Sequence, residues 1–195
     1  DSHGKLDGRY RLERLLGRGG MGVVYEAYDE LLQRRVAIKA LSEQLENNDE
    51  AQRLFLDEAR SLATLSHPNL VDVHDVLDEQ GRAMMVTEFV EGRDLESLLQ
   101  ENAPLSSGRL CEVGIELCHA IAYLHEAGFI HRDLKPANAI IDADGRLKLI
   151  DFGLARFRVE GQPNTRAGVT MGTPAYMAPE QALGRQEEID ARTDV

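Results

Sequence analysis

HRDLKPAN, residues 131–138, sets His131, Arg132, Asp133, Lys135 and Asn138 between two apolar segments, AIAYLHEAGFI (120–130) and AIIDADGRLKLIDFG (139–153). Burying a charge costs several kcal/mol unless it is paired or bound to a metal. The stretch is therefore either a solvated loop or a site. Downstream, AIID (139–142) and LKLI (147–150) read as two short hairpin strands joined by Ala143-Asp144-Gly145. Asp151 then emerges at a strand end, with Gly153 close behind to relieve the backbone. Asp133, Asn138 and Asp151 are hard oxygen ligands or proton acceptors, the set Mg²⁺ prefers when phosphate oxygens complete its shell. A solvated turn would account for any one of them, and accounts less well for all three around one hairpin. His131, in an apolar frame, reads as a hydrogen-bonded core histidine rather than a general base.

Upstream the texture differs. YRLERLL (10–16), VVYEAYD (23–29) and RRVAIKAL (34–41) are β-rich and predict successive antiparallel strands. Between the first two lies Gly17-Arg18-Gly19-Gly20-Met21-Gly22. With 17 glycines in 195 residues, G-x-G-x-x-G arises by chance in about one such chain in eight. A dinucleotide-binding turn needs a helix after the last glycine; VVYEAYD is strand, which leaves a glycine hairpin whose N–H groups can approach phosphate.

In VAIKAL, Val36, Ile38 and Ala40 share one face while Ala37 and Lys39 share the other. A helix over about 49–66 carries an apolar stripe of Ala51, Leu54, Phe55, Ala59, Leu62 and Leu65, closed by His67-Pro68-Asn69. Glu58 falls within that stripe and wants a cation; Lys39 is the nearest candidate. Strands follow at 70–77 and 82–89, then helices at RDLESLLQ and about 107–127. The order is a β-rich half with one helix, then an α-rich half, with the joint near 89–94. Residues 154–195 are rich in Gly, Thr and Pro, as a functional loop is.

Net charge of −12 and a pI near 4.9 remove the footprint of a nucleic-acid or anionic-membrane binder, so any phosphate must be held locally. No apolar run is long enough to span a membrane, and no signal peptide or metal-type CxxC or HExxH spacing is present. Cys111 and Cys118 lie on one helix face and read as reduced packing residues. These features fit a cytoplasmic chain.

Taken together, GRGGMGVV (17–24), VAIK (36–39), Glu58 in FLDEAR, HPN (67–69), TEFVEG (87–92), HRDLKPAN, DFG (151–153) and GTPAYMAPE (172–180) resemble the protein kinase family, in order and at suitable spacing. The likeness is to bacterial serine/threonine kinases of eukaryotic type and covers nearly the whole chain from Tyr10. It implies an α+β, bilobal fold: an N-terminal extension (1–9), an antiparallel β small lobe with one long helix (10–90), and a mainly α large lobe (91–195). That large lobe is expected to be incomplete, ending where the central helix begins.

The resemblance also implies roles. The loop Gly17, Arg18, Gly19, Gly20 and Gly22 covers the phosphates of ATP, and Lys39, held by Glu58, contacts them. Leu16, Val24, Ala37 and Ile140 sandwich adenine, the backbone of Glu88 and Val90 binds its edge, Thr87 is the gatekeeper, and Asp94 lies near the ribose. Asn138 and Asp151 hold Mg²⁺, Asp133 takes the proton of the substrate hydroxyl, and Lys135 steadies the γ-phosphoryl group. Lys135 and Thr173 match serine/threonine specificity. Arg132 suits a phosphorylated activation loop with Thr165 or Thr170 as the site, Asp194 caps the loop backbone, and Glu180 is expected to pair with an arginine that is absent from this sequence. Protein substrates, ATP and a kinase–kinase dimer for trans-phosphorylation are the implied partners. Two other readings stay open here: a nucleotide-binding pseudokinase or scaffold, and an inactive, C-terminally truncated fragment.

Overall fold

A computed structural model describes residues 5–19, 22–46, 48–79, 81–102, 105–151 and 174–195. The chain divides into two compact units. Among the described residues, the first holds 5–65 and 72–89, and the second holds 66–71, 90–151 and 174–195.

The first unit is built on a six-stranded antiparallel sheet, formed by β1 (Lys5–Leu6), β2 (Tyr10–Arg18), β3 (Gly22–Asp29), β4 (Arg34–Leu41), β5 (Val73–Glu79) and β6 (Arg82–Glu88), in the order β1-β2-β3-β4-β6-β5. Between β4 and β5 come a short helix α1 (Glu43–Glu46) and α2 (Asp49–Leu62). The alternation in VAIKAL is what aims β4: Val36, Ile38 and Ala40 join Tyr10, Ala27, Leu77, Met84 and Val86 in one buried cluster. The opposite face carries Lys39, paired in register with Val24 on β3 and Met85 on β6, and Ala37, paired with Glu26 and Thr87.

Asn48 caps α2 by accepting from Ala51 N at 3.0 Å, and the helix packs on β5 and β6. Its buried residues are Ala51, Phe55, Leu56, Ala59 and Leu62, whereas Leu54 is exposed. The expected stripe was thus rotated: Leu56 replaces Leu54, which lies about 115° from the stripe's centre, because the sheet takes the Phe55–Leu56 side. Glu58 stands at the stripe's edge and is half-buried. The helix also stops at Leu62, short of the His-Pro-Asn signal, since Ala63 and Thr64 close it with turn hydrogen bonds to Ala59 and Ser61.

The second unit has a three-stranded antiparallel sheet of β7 (Gly92–Asp94), β8 (Ala139–Asp142) and β9 (Leu147–Leu149), with α3 (Leu95–Asn102), α4 (Ser107–Glu126) and α5 (Pro179–Ala182). Ser106 caps α4, and the helix buries Val113, Ala120, Ile121 and Leu124. Cys111 and Cys118 are exposed, which corrects the expectation that they pack: each sits about 200° around the helix from a buried residue two places on, Val113 or Ala120. Glu116 joins α4 to the sheet by accepting from Leu147 N at 2.6 Å. Leu70 forms a parallel bridge to Leu149, and Asn69 Nδ2 donates to Leu147 O at 2.9 Å. Residues 70 and 71, expected in a strand of the first unit, belong instead to the second, and β5 begins only at Val73. Among the described residues no helix is long and apolar enough to cross a membrane.

Candidate active site

Loop 131–138 follows α4, ends in a 3₁₀ turn (Pro136–Asn138), and runs straight into β8. Its anchor is Asp194, whose side chain is fully buried. Asp194 Oδ2 accepts from His131 N at 2.7 Å and from His125 Nε2 at 2.8 Å, and Oδ1 accepts from Arg132 N at 2.8 Å. Three donors converging on one buried carboxylate fix the start of the loop.

His131 is fully buried. Its Nδ1 accepts from Asp133 N at 3.3 Å, so that nitrogen carries no proton; Nε2, 3.2 Å from the Ile150 carbonyl, is the one that donates. Burial pushes its pKa down, against a smaller upward pull from Asp194. A neutral ring with both nitrogens engaged is a structural tie between the loop and the end of β9, not a base.

Within that frame Asp133, Lys135 and Asn138 meet. Lys135 Nζ is 2.7 Å from Asp133 Oδ2, and Asn138 Nδ2 donates to the same oxygen at 3.0 Å and to Asp133 O at 2.8 Å. Among the described residues no donor reaches Asp133 Oδ1. The carboxylate is thus held by one oxygen, and its side chain keeps 30% exposure, enough for a substrate to approach the other. Asn138 is buried and its backbone O accepts from Ile150 N at 2.9 Å, which places it one residue from Asp151 across the β8–β9 hairpin. Arg132 (φ +67°) and Asp151 (φ +60°) both adopt left-handed backbone, strained conformations that cluster at functional sites.

Asn138 and Asp151 offer an amide oxygen and a carboxylate, donors of the hard type that suits Mg²⁺. Among the described residues no three His, Cys, Asp or Glu side chains gather as a metal site. Two oxygen donors fit an ion that shares its shell with phosphate.

Asp94 and Ile140 are register partners across β7 and β8. Asp94 also caps α3: Oδ1 accepts from Ser97 N at 2.8 Å and Oδ2 from Ser97 Oγ at 2.7 Å. Burial alone would raise its pKa, but these bonds bring it below the usual carboxylate range. The D-x-x-S spacing could have announced that cap from the sequence. Val90 lies in this unit.

Other candidates lie in the first unit. Lys39 is buried on the sheet face shared with Val24, Ala37 and Thr87. Gly19 N donates to Gly22 O at 2.9 Å and Gly22 N to Gly19 O at 3.3 Å, closing a tight hairpin end. Gly22 packs so closely that a Cβ would run into the Ala40 carbonyl, while Gly17 and Gly19 have open space. Leu16 lies at a bulge of β2, between the paired Leu15 and Gly17, and is exposed, as is Arg18. Glu88 N donates to Asp72 O at 2.9 Å, and Glu88 O accepts from Thr87 Oγ1 at 3.3 Å. Gly20, Met21, Phe152, Gly153, Thr165, Thr170, Gly172 and Thr173 lie outside the described residues.

One group emerges that sequence reasoning missed. Gln181, on α5, donates from Nε2 to Arg132 O at 2.6 Å, a contact over 49 positions that no local pattern announces. Glu180, already singled out by the resemblance, accepts from Thr193 Oγ1 at 2.6 Å.

Residues 10–195 match the family model described as the protein kinase domain. The chain is 41% identical over 196 residues to a probable serine/threonine-protein kinase of Streptomyces coelicolor, covering 98% of this chain and 29% of that protein. It is 44% identical over 184 residues to the serine/threonine-protein kinase PknA of Mycobacterium tuberculosis, covering 92% and 42%. The crystal structure of the M. tuberculosis PknI kinase domain superposes with a TM-score of 0.73 at 30% identity, over 95% of this chain and 67% of that one. The chain thus spans less than half the length of these curated relatives, and it belongs to the protein kinase family, with the α+β fold of its bacterial serine/threonine-kinase members.

Proposed function

We propose that the protein transfers the γ-phosphoryl group of ATP to serine or threonine hydroxyls of protein substrates. The observation that carries this reading is Asp133, tied through one carboxylate oxygen to Lys135 and Asn138 while, among the described residues, no donor takes the other. Phosphoryl transfer asks little covalent chemistry of a protein; it asks for positioning and charge neutralisation. Asp133 orients the attacking hydroxyl and accepts its proton. Lys135, already on Asp133, lends its charge to the oxygens of the group in flight.

ATP and Mg²⁺ are general to the family. Here Asn138 and Asp151 would hold the ion, which when bound neutralises phosphate charge. In the small lobe, 10–90, Lys39 with Glu58 as its partner engages the phosphates, and Gly17, Arg18, Gly19, Gly20 and Gly22 cover them. Leu16, Val24, Ala37 and Ile140 frame the base, Thr87, Glu88 and Val90 read its edge, and Asp94 meets the ribose. Residues 91–195 supply the catalytic loop. A net charge of −12 is no bar to a polyanion, because these cations offset it locally. Activation-loop phosphorylation at Thr165 or Thr170, carried out between two copies in the cytoplasm, is the regulation this reading implies.

The test uses the full-length protein and a mixed serine/threonine peptide pool. Wild type transfers phosphate from ATP; Asp133→Asn lowers kcat by about 10²–10⁴-fold and leaves the thermal shift on adding Mg·ATP intact. Transfer undiminished in Asp133→Asn would mean that another group takes the proton. No transfer by wild type, with the thermal shift retained, would favour the pseudokinase.

A further inference from the structure

The Arg132–Asp133 peptide group is gripped at both ends by side chains of the second unit. Gln181 Nε2 donates to its oxygen, Arg132 O, at 2.6 Å, and His131 Nδ1 accepts from its nitrogen, Asp133 N, at 3.3 Å. Arg132 stands at φ +67°, where a side-chain-bearing residue stays only if its surroundings hold it. Rotation of this peptide would swing the Asp133 carboxylate. The start of the loop is tied by Asp194, but Asp194 takes N–H groups only; the oxygen of this peptide is held by Gln181.

The orientation of the Gln181 amide is fixed by its other end. Oε1 accepts from Ala178 N at 3.1 Å, within the turn that opens α5, so Nε2 is left to face Arg132. One side chain therefore joins the start of α5 to the residue before Asp133.

We propose that Gln181 is a positioning residue for phosphoryl transfer, holding the Arg132–Asp133 peptide in the left-handed geometry that aims the Asp133 carboxylate. The inference rests on the reading of Asp133 as the proton acceptor. A small misplacement of a reacting group is enough to cost about 10²-fold in rate. Loss of the Gln181 bond should therefore appear in kcat, not in nucleotide binding.

The test compares wild type, Gln181→Met and Gln181→Glu in the full-length protein. Gln181→Met keeps the volume and loses the donor; its kcat falls about 10- to 100-fold, while KM for ATP and the Mg·ATP thermal shift stay within about twofold of wild type. Gln181→Glu keeps the acceptor for Ala178 N, but its ionised form has no proton for Arg132 O. At pH 8 it is as slow as Gln181→Met. A kcat within twofold of wild type in both variants overturns the inference, as does a loss shared equally by kcat and the thermal shift. A wild type that transfers no phosphate instead overturns the reading of Asp133, and this inference with it.

Discussion

Each unit sets an acid beside a cation and a tyrosine or histidine, and the two clusters serve opposite ends. In the first unit Asp29 is fully buried: Oδ1 accepts from Arg9 Nε at 2.9 Å and from Leu31 N and Leu32 N at 3.1 Å each, and Oδ2 accepts from Arg9 Nη2 at 2.7 Å. Arg9 Nη1 and Tyr10 OH both reach Asp75 Oδ2, at 3.2 and 2.8 Å. Burial pushes the Tyr10 phenol up, so it stays a donor. Both oxygens of Asp29 are engaged, and Asp29, Arg9 and Tyr10 have no left-handed backbone. In the second unit Asp133 has one oxygen that no donor among the described residues reaches, with 30% exposure of its side chain and a left-handed residue just before it. Saturation marks a staple; an acid held by half its valence marks a site.

The sharpest way to break this comparison is to make the same change at both acids. Asp133→Asn should leave the thermal midpoint within a couple of degrees of wild type and lower kcat by about 10²–10⁴-fold. Asp29→Asn should do the reverse. It leaves Arg9 with a neutral partner and sets an NH₂ group against backbone donors, at a cost of roughly 2–4 kcal/mol in stability, with kcat per folded molecule unchanged. Denaturant melts and active-site-normalised rates separate the two; a rate loss in folded Asp29→Asn would dissolve the distinction.

Acid sharpens it further. Asp29 titrates at about 2 against an ordinary 3.8, chiefly because Arg9 hydrogen-bonds its ionised form, with burial opposing. A depressed folded-state pKa stabilises the fold above the unfolded value, and that stability is lost as pH falls through the folded one. The gap in thermal midpoint between wild type and Asp29→Asn should therefore hold above about pH 4 and shrink from there towards pH 2. A gap constant over that window would mean that Asp29 is not the group responsible.

How much of this was legible beforehand depended on range. The β4 alternation named the core face of the sheet, and the strand-turn-strand of 139–150 appears within a residue of its expected bounds. What local pattern left open was any choice made by a distant partner. Leu70 and Val71 look like strand, yet go to the second unit because Leu149 offers them a bridge and a hydrogen bond. Leu54 and Leu56 are equally apolar, and only the docking direction of α2 decides which is covered. In the site, the Asp133–Lys135–Asn138 cluster spans six residues and shows in the sequence as crowded charge. The supports Asp194 and Gln181 are 62 and 49 positions from Arg132; the first was suggested by resemblance alone, the second by nothing.

The smallest effects lie in the glycine hairpin, where the same distinction between support and site applies within six residues. Gly22 has no room: a Cβ there meets the Ala40 carbonyl, a backbone group that cannot move without shifting β4. Gly17 and Gly19 have nothing within 4 Å of such a Cβ. Gly22→Ala should thus cost about 1–3 kcal/mol of stability through backbone displacement. Gly17→Ala should change stability by no more than about 0.5 kcal/mol, because open space and an ordinary φ accept a methyl group. If Gly17 is there for the close approach of phosphate, its alanine variant instead raises KM for ATP several-fold with the melting curve unmoved. Equal loss of stability in both variants would show that the hairpin's glycines are all packing residues, and that the phosphate contact must be sought elsewhere.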